Sequence, residues 1–295
     1  MTTDPRNIVS TGRANALGAA WMIAAMAAFA VEDAFVKALS QSLPVGQVLL
    51  MFGCGGALAF AILAGVARQR LFTRDVVSFP MRLRVLFEIC GRLFYILALA
   101  LIPLSAATVI LQATPIVVVA AAAVLFGERV GWRRWAAILI GMGGVLVILR
   151  PGSESFSLLS LLAVLGMLGF AGRDLASRAA PASLGTAVLG FYGFSAVIAA
   201  GALVSAWSQA PFVMPDAEAA QLAVGAVASG IAAYSCLMKA MRTGEVSAVA
   251  PFRYVRLVFG LALGAALFGE DMTGFMLIGS AMIVLSGLLI IGRRA

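Results

Sequence analysis

Histidine is absent from this sequence, and cysteine occurs only three times, at Cys54, Cys90 and Cys236. With no imidazole, and with the thiols far apart in apolar runs, there is neither a metal-ligand spacing nor a disulfide framework. The thiols read as small apolar residues of helix packing. Charge is scarce as well. Only 12% of the 295 residues are charged while 62% are hydrophobic, too little charge to cover a water-soluble domain of this size. No dinucleotide or phosphate-loop fingerprint occurs, so no cofactor is expected. The balance of 21 basic against 13 acidic residues gives +8, but no polybasic stripe with interleaved aromatics forms, and nucleic acid is excluded as a partner.

What the chain has is a succession of long apolar runs, the mark of membrane-spanning helices with lipids as partners. Windows of about 20 residues predict ten spans, near 14–36, 45–66, 83–101, 104–126, 132–149, 158–178, 184–207, 219–240, 246–268 and 272–292. The first follows Arg6 and Arg13 in the manner of a signal peptide, but it takes part in the repeat below and is read as a retained helix. With the N-terminus inside, 16 of the 21 basic residues fall in inside segments, Arg84 and Arg173 among them, against Lys37 and Arg150 outside. The expectation is a multi-pass protein of the bacterial inner membrane with both termini cytoplasmic.

Two short stretches repeat. Leu125-Phe126-Gly127-Glu128 returns as Leu267-Phe268-Gly269-Glu270, 142 residues later. Arg129 follows the first copy and Asp271 the second. The same offset matches Ser105 to Ser247, Ala106 to Ala248 and Glu32 to Asp174. Five spans per half is an odd number, so the second half enters the membrane upside down, and the change from arginine to aspartate follows. The predicted fold is therefore all-α, ten transmembrane helices as two inverted five-helix repeats, 1–150 and 151–295, forming one membrane domain. Inverted halves that exchange shapes open a central site alternately to each side.

Ser105-Ala106 and Ser247-Ala248 at helix starts, Pro115 thirteen residues before Glu128, the glycine-rich "GMGGVLVIL" at 141–149 and, above all, "APFRYVRLVFGLALGAALFGE" at 250–270 are similar to the drug/metabolite transporter superfamily. The EamA-type ten-helix branch is the nearest, over essentially the whole chain. The resemblance implies transport of small metabolites without ATP, commonly efflux of amino acids. Pro115 has Leu257 at its counterpart, and Pro251 lies six residues earlier; Pro115 and Pro251 are the candidate hinges.

Charged groups inside a bilayer are expensive and hence functional candidates. Arg253 and Arg256 are three apart, on one face of the ninth helix near mid-depth. They read either as a fork for a substrate carboxylate or as structural partners of Glu88, Glu32 or Asp33. Glu88 and Arg92 have the spacing of an intrahelical pair, with Arg92 also placed to line a cavity. Glu32 and Asp33, toward the outer end of the first helix, read as receivers of a substrate ammonium or a coupling proton, or as carboxylates in outer-surface water beside Lys37. Glu128 and Glu270 read as caps for the fifth and tenth helices. Among Trp21, Tyr95, Tyr192, Tyr234 and Tyr254, Tyr254 is the preferred pocket residue because it adjoins Arg253. The Gly260–Gly264 spacing suggests a close helix approach.

The reading is a secondary transporter exporting amino acids, aromatic or other neutral ones, by alternating access. Its small substrate is zwitterionic or anionic, and Arg253, Arg256, Tyr254, Arg92 and Glu32 bind it. Glu32 or Asp33 carries a coupling proton, and no metal takes part. Carriage of another small metabolite or a drug is the alternative. A membrane-embedded enzyme needs a nucleophile, an acid–base pair or a metal set, and none is visible. A scaffold predicts no flux.

Overall fold

The computed structural model describes residues 5–101, 110–149, 159–268 and 274–291. Within them lie ten α-helices of twelve residues or more: α1 Pro5–Leu39, α2 Val45–Val66, α3 Phe79–Leu101, α4 Thr114–Leu125, α5 Trp132–Leu149, α6 Ser160–Ala179, α7 Thr186–Ser208, α8 Ala217–Thr243, α9 Val255–Phe268 and α10 Gly274–Ile291. Four of them (α2, α7, α8 and the Gly12–Val36 stretch of α1) are both long and apolar enough to cross a membrane. α3 and α6 carry charge instead: Arg84, Glu88 and Arg92 on one, Arg173 and Asp174 on the other.

Local chemistry sets the helix ends. Pro44 precedes α2, and the chain leaves it through Arg68 at φ 52°. Gln209, also left-handed at φ 51°, ends α7. The Asp216 side chain caps α8 by accepting from the Ala219 N–H at 2.8 Å, satisfying one of the free donors of a helix start.

The ninth span is not one continuous helix. A single α-turn, Val246–Val249, passes into a 3₁₀ turn, Ala250–Tyr254, before α9 begins. Pro251 stands in the first turn of the 3₁₀ segment and lacks the N–H that a continuing α-helix needs. The first half is interrupted at the matching place: Gln112 and Ala113 form a turn, and α4 starts at Thr114 with Pro115 in its first turn. At the 142-residue offset, 112 and 113 correspond to 254 and 255.

The four dominant helix interfaces are α1 with α8, α2 with α7, α3 with α6 and α5 with α10. Each joins the first half of the chain to the second. Exchanging the halves maps α1–α8 onto α6–α3 and leaves the other two pairs unchanged. The apolar interior lies around α2, α7 and α8, where Phe52, Phe60 and Tyr234 surround Phe194 with ring centroids 5.0–5.5 Å from its own. Glycine lets α3 and α6 touch backbone to backbone: a Cβ on Gly169 would lie 2.6 Å from the Gly91 Cα. Gly260, by contrast, faces open space, and no close approach occurs there; the side chain of Gly264 lies outside the described residues.

Candidate functional site

On α3, Arg84, Glu88 and Arg92 recur at four-residue intervals and so share one face. That face meets Arg173 and Ser177 of α6 and Tyr234 of α8, and Asp174 of α6 and Arg253 of the 3₁₀ turn join it through Arg173. Glu88, fully buried, accepts from the Tyr234 hydroxyl at 2.9 Å and from Arg173 Nη1 at 3.3 Å, and lies 3.7 Å from Arg92 Nε. Asp174, equally buried, accepts from Arg173 Nε at 2.8 Å and from Arg253 Nη2. Arg84 donates to Ser177 Oγ, to the Leu189 carbonyl and to the Tyr234 hydroxyl at 2.9, 2.7 and 2.5 Å. The Phe170 ring lies under both Arg92 and Arg173, at 5.9 and 5.1 Å.

Both halves of the chain thus build one interior ionic cluster, and it is richer in cation than in anion. Arg84, Arg92, Arg173 and Arg253 surround Glu88 and Asp174, with the buried Glu32 near Arg92. Arg84 Nη1, Arg92 Nε and Arg253 Nε, all shielded from solvent, have no hydrogen-bond partner among the described residues. Buried donors are normally satisfied, so these three are hydrogen-bonding capacity that the cluster itself leaves unused.

Arg253 and Arg256 diverge rather than act as a pair. Arg256 makes a bidentate bridge to Asp33, with N–O distances of 2.6–2.9 Å, and stacks over Phe29 at 5.0 Å. Its side chain is 36% exposed and that of Asp33 55%. Glu32, one residue away, is buried. Tyr254 packs against Gly141 of α5, beside Val145 and Ile283, away from the cluster. Trp21 lies under Lys239 at 4.4 Å, and Tyr192 donates to the Leu71 carbonyl at 3.2 Å. Pro115 and Pro251 are both buried.

Arg84 and Arg173, which a count of basic residues places with the inside segments, belong to the interior cluster. Asp174 and Tyr234 also belong to it. The one sequence signal for Asp174 was its match to Glu32 across the repeat.

At one end of the bundle the two halves are tied to each other. Glu128 was expected to cap the fifth helix. It caps the turn Val246–Val249 instead: its two carboxylate oxygens accept from the Val246 and Ser247 N–H groups, each at 2.9 Å. The reason is that Gly127 takes φ 64°, a left-handed turn that glycine allows. Arg178 lies 3.9 Å from Glu128 and also donates to the Met241 and Gly244 carbonyls. Arg134 holds Ser247 Oγ at 2.5 Å and pairs with Glu245, whose N–H reaches Asn15 Oδ1 at 2.8 Å. Glu270, the repeat counterpart, lies outside the described residues.

A two-half helical bundle with a shared ionic cluster inside it has the architecture of a membrane transporter, and the comparisons with known proteins agree. The EamA-like transporter family matches residues 16–150 and again 158–292, two stretches set off by the same 142 residues. The chain belongs to the EamA-like transporter family. It is 28% identical over 270 residues to the pseudopaline exporter CntI of Pseudomonas aeruginosa, spanning 88% of this chain and 90% of the exporter. To the riboflavin transporter of Vibrio cholerae it is 27% identical over 283 residues, 91% of each chain. To the S-adenosylmethionine uptake transporter of Rickettsia bellii it is 25% identical over 280 residues, 93% of each. A crystal structure with a TM-score of 0.75 and 23% identity, covering 94% of this chain and 98% of its own, shares the fold. The protein is a multi-pass membrane transporter of small molecules and not an enzyme.

Proposed function

We propose that the protein is a secondary transporter exporting amino acids across the bacterial inner membrane, with both termini in the cytoplasm and two inverted five-helix repeats. The observation that carries this reading is the cation-rich cluster between the halves, with its three unsatisfied guanidinium N–H groups. A carboxylate there gains charge-assisted hydrogen bonds from groups already desolvated. Arg253 and Arg92, each with a free Nε, are its receivers; Arg84 supplies a third free donor a turn below Glu88.

Alternating access gives the rest of the geometry a meaning. The latched end holds Glu128, Arg134 and Arg178 and is the cytoplasmic one. It is closed in this structure, whereas Asp33 and Arg256 are half-exposed on the opposite side of the cluster. The helix breaks before α4 and α9, with Pro115 and Pro251 in the turns that follow, are the hinges about which the halves rock. Asp33, in reach of water and paired to Arg256, is the carboxylate that carries a coupling proton.

A second reading, carriage of another small metabolite, is favoured by the relatives, which are named for three different cargoes. The test is uptake into proteoliposomes of a radiolabelled panel containing neutral and aromatic amino acids, riboflavin and S-adenosylmethionine, with and without a pH gradient. Saturable uptake of amino acids alone is expected. Uptake confined to riboflavin or S-adenosylmethionine overturns amino-acid export and leaves the transporter class standing.

A further inference from the structure

The two halves treat their equivalent carboxylates differently. Asp174 sits at the α3–α6 interface, where Arg173 and Arg253 both donate to it. Its repeat counterpart, Glu32, sits at the equivalent α1–α8 interface. At the positions equivalent to those arginines the sequence has Val31 and Leu111. On the facing helix, Gly230 stands where the first half has Glu88. A Cβ at Gly230 would lie 3.4 Å from Glu32 Oε2 and closer still to the Phe52 ring of α2, so the Glu32 side chain reaches α8 at a position that carries no side chain.

Among the described residues Glu32 is therefore a buried carboxylate, 4% exposed, without a cation of its own. Its Oε2 has no hydrogen-bond partner, and it enters no ion pair among the described residues. Arg92 and Arg256 are near enough to act on it, as are Asp33 and Glu88, yet neither arginine donates to it. An uncompensated buried carboxylate is costly. The first half of the chain leaves open a cation site that the second half fills.

We propose that the missing cation is the cargo's: Glu32 binds a primary ammonium group. This deepens the amino-acid reading, since the free donors of Arg92 and Arg253 suit the carboxylate of the same molecule. A zwitterion then lies across the boundary between the two halves, its ammonium on α1 of the first and its carboxylate held partly by Arg253 of the second.

The test uses the full-length protein in lipid nanodiscs and three matched probes: L-phenylalanine, phenethylamine (no carboxylate) and 3-phenylpropanoate (no ammonium). Binding is measured for wild type, Glu32→Gln and the charge-preserving Glu32→Asp. Glu32→Gln should weaken L-phenylalanine and phenethylamine by about ten- to a hundredfold, the loss of one charge-assisted hydrogen bond, and leave 3-phenylpropanoate unchanged. Glu32→Asp should restore part of the amine binding, which also controls for misfolding. Three outcomes overturn the inference: equal weakening of all three probes, unchanged phenethylamine binding in Glu32→Gln, or no amine binding by wild type. Loss of gradient-driven accumulation by Glu32→Gln in proteoliposomes, with binding in nanodiscs intact, means the missing cation is a proton, and this too overturns it. Binding of phenethylamine but not L-phenylalanine by wild type leaves Glu32's role standing while removing the amino-acid reading.

Discussion

Replacing Glu128 with glutamine tests whether the closed end is held by its carboxylate. Two backbone N–H groups, of Val246 and Ser247, each donate to a separate oxygen at 2.9 Å, and Arg178 adds charge at 3.9 Å. Glutamine keeps one acceptor and turns an NH₂ toward the other N–H. One charge-assisted bond is lost and one donor faces another, together about 2–3 kcal/mol. In a two-state equilibrium that is roughly a 30- to 150-fold rise in the open population. The reporter is a cysteine at Ala248, 3% exposed in the closed end, in a background with Cys54, Cys90 and Cys236 replaced. Its rate of reaction with a maleimide, for protein in nanodiscs, should rise by about that factor. A second cysteine at Ala226, 1% exposed in mid-α8, should not change. If Ala248→Cys reacts equally fast with Glu128 or glutamine, the latch does not hold the end shut. If both reporters accelerate together, the substitution loosens the whole bundle and the reasoning fails.

Cysteines placed near Arg70 and Arg133 should be labelled only from the cytoplasm and one near Asp216 only from outside; labelling of all three from one side removes the inverted topology. Gly169→Leu should destabilise by about 1–3 kcal/mol, read as a lower melting temperature in detergent, because its Cβ would lie 2.6 Å from the Gly91 backbone. Gly260→Ala, which meets nothing within 4 Å, should leave the melting temperature unchanged. The Asp33–Arg256 bridge is half-exposed, so Asp33→Asn should cost under about 1 kcal/mol. It should also abolish gradient-driven accumulation while preserving exchange, and equal loss of both activities rejects Asp33 as the coupling group.

The membrane class, the helix count and the 142-residue repeat were legible in the sequence because each depends on properties that sum along a chain. About 20 apolar residues span a bilayer whatever their neighbours do, and a repeat is a comparison of letters. The span Val45–Val66 and the family emerged from the letters alone. Local geometry already went beyond them at the ninth span. Pro251 was visible, but whether the chain bends, breaks or changes to 3₁₀ depends on what packs against it.

Which charge meets which was decided only by the tertiary structure. Arg253 and Arg256 are three residues apart, yet they pair with Asp174 and Asp33, 79 and 223 residues away. Glu128 caps a helix start 118 residues on rather than the helix it precedes. Arg84 and Arg173 look like loop charges in a count of basic residues, because counting records position along the chain and not direction around a helix. Coulombic and hydrogen-bond energies fall off over a few ångströms. Such pairings exist only after α3 meets α6 and α1 meets α8, and the sequence fixes those meetings through packing that no single residue displays.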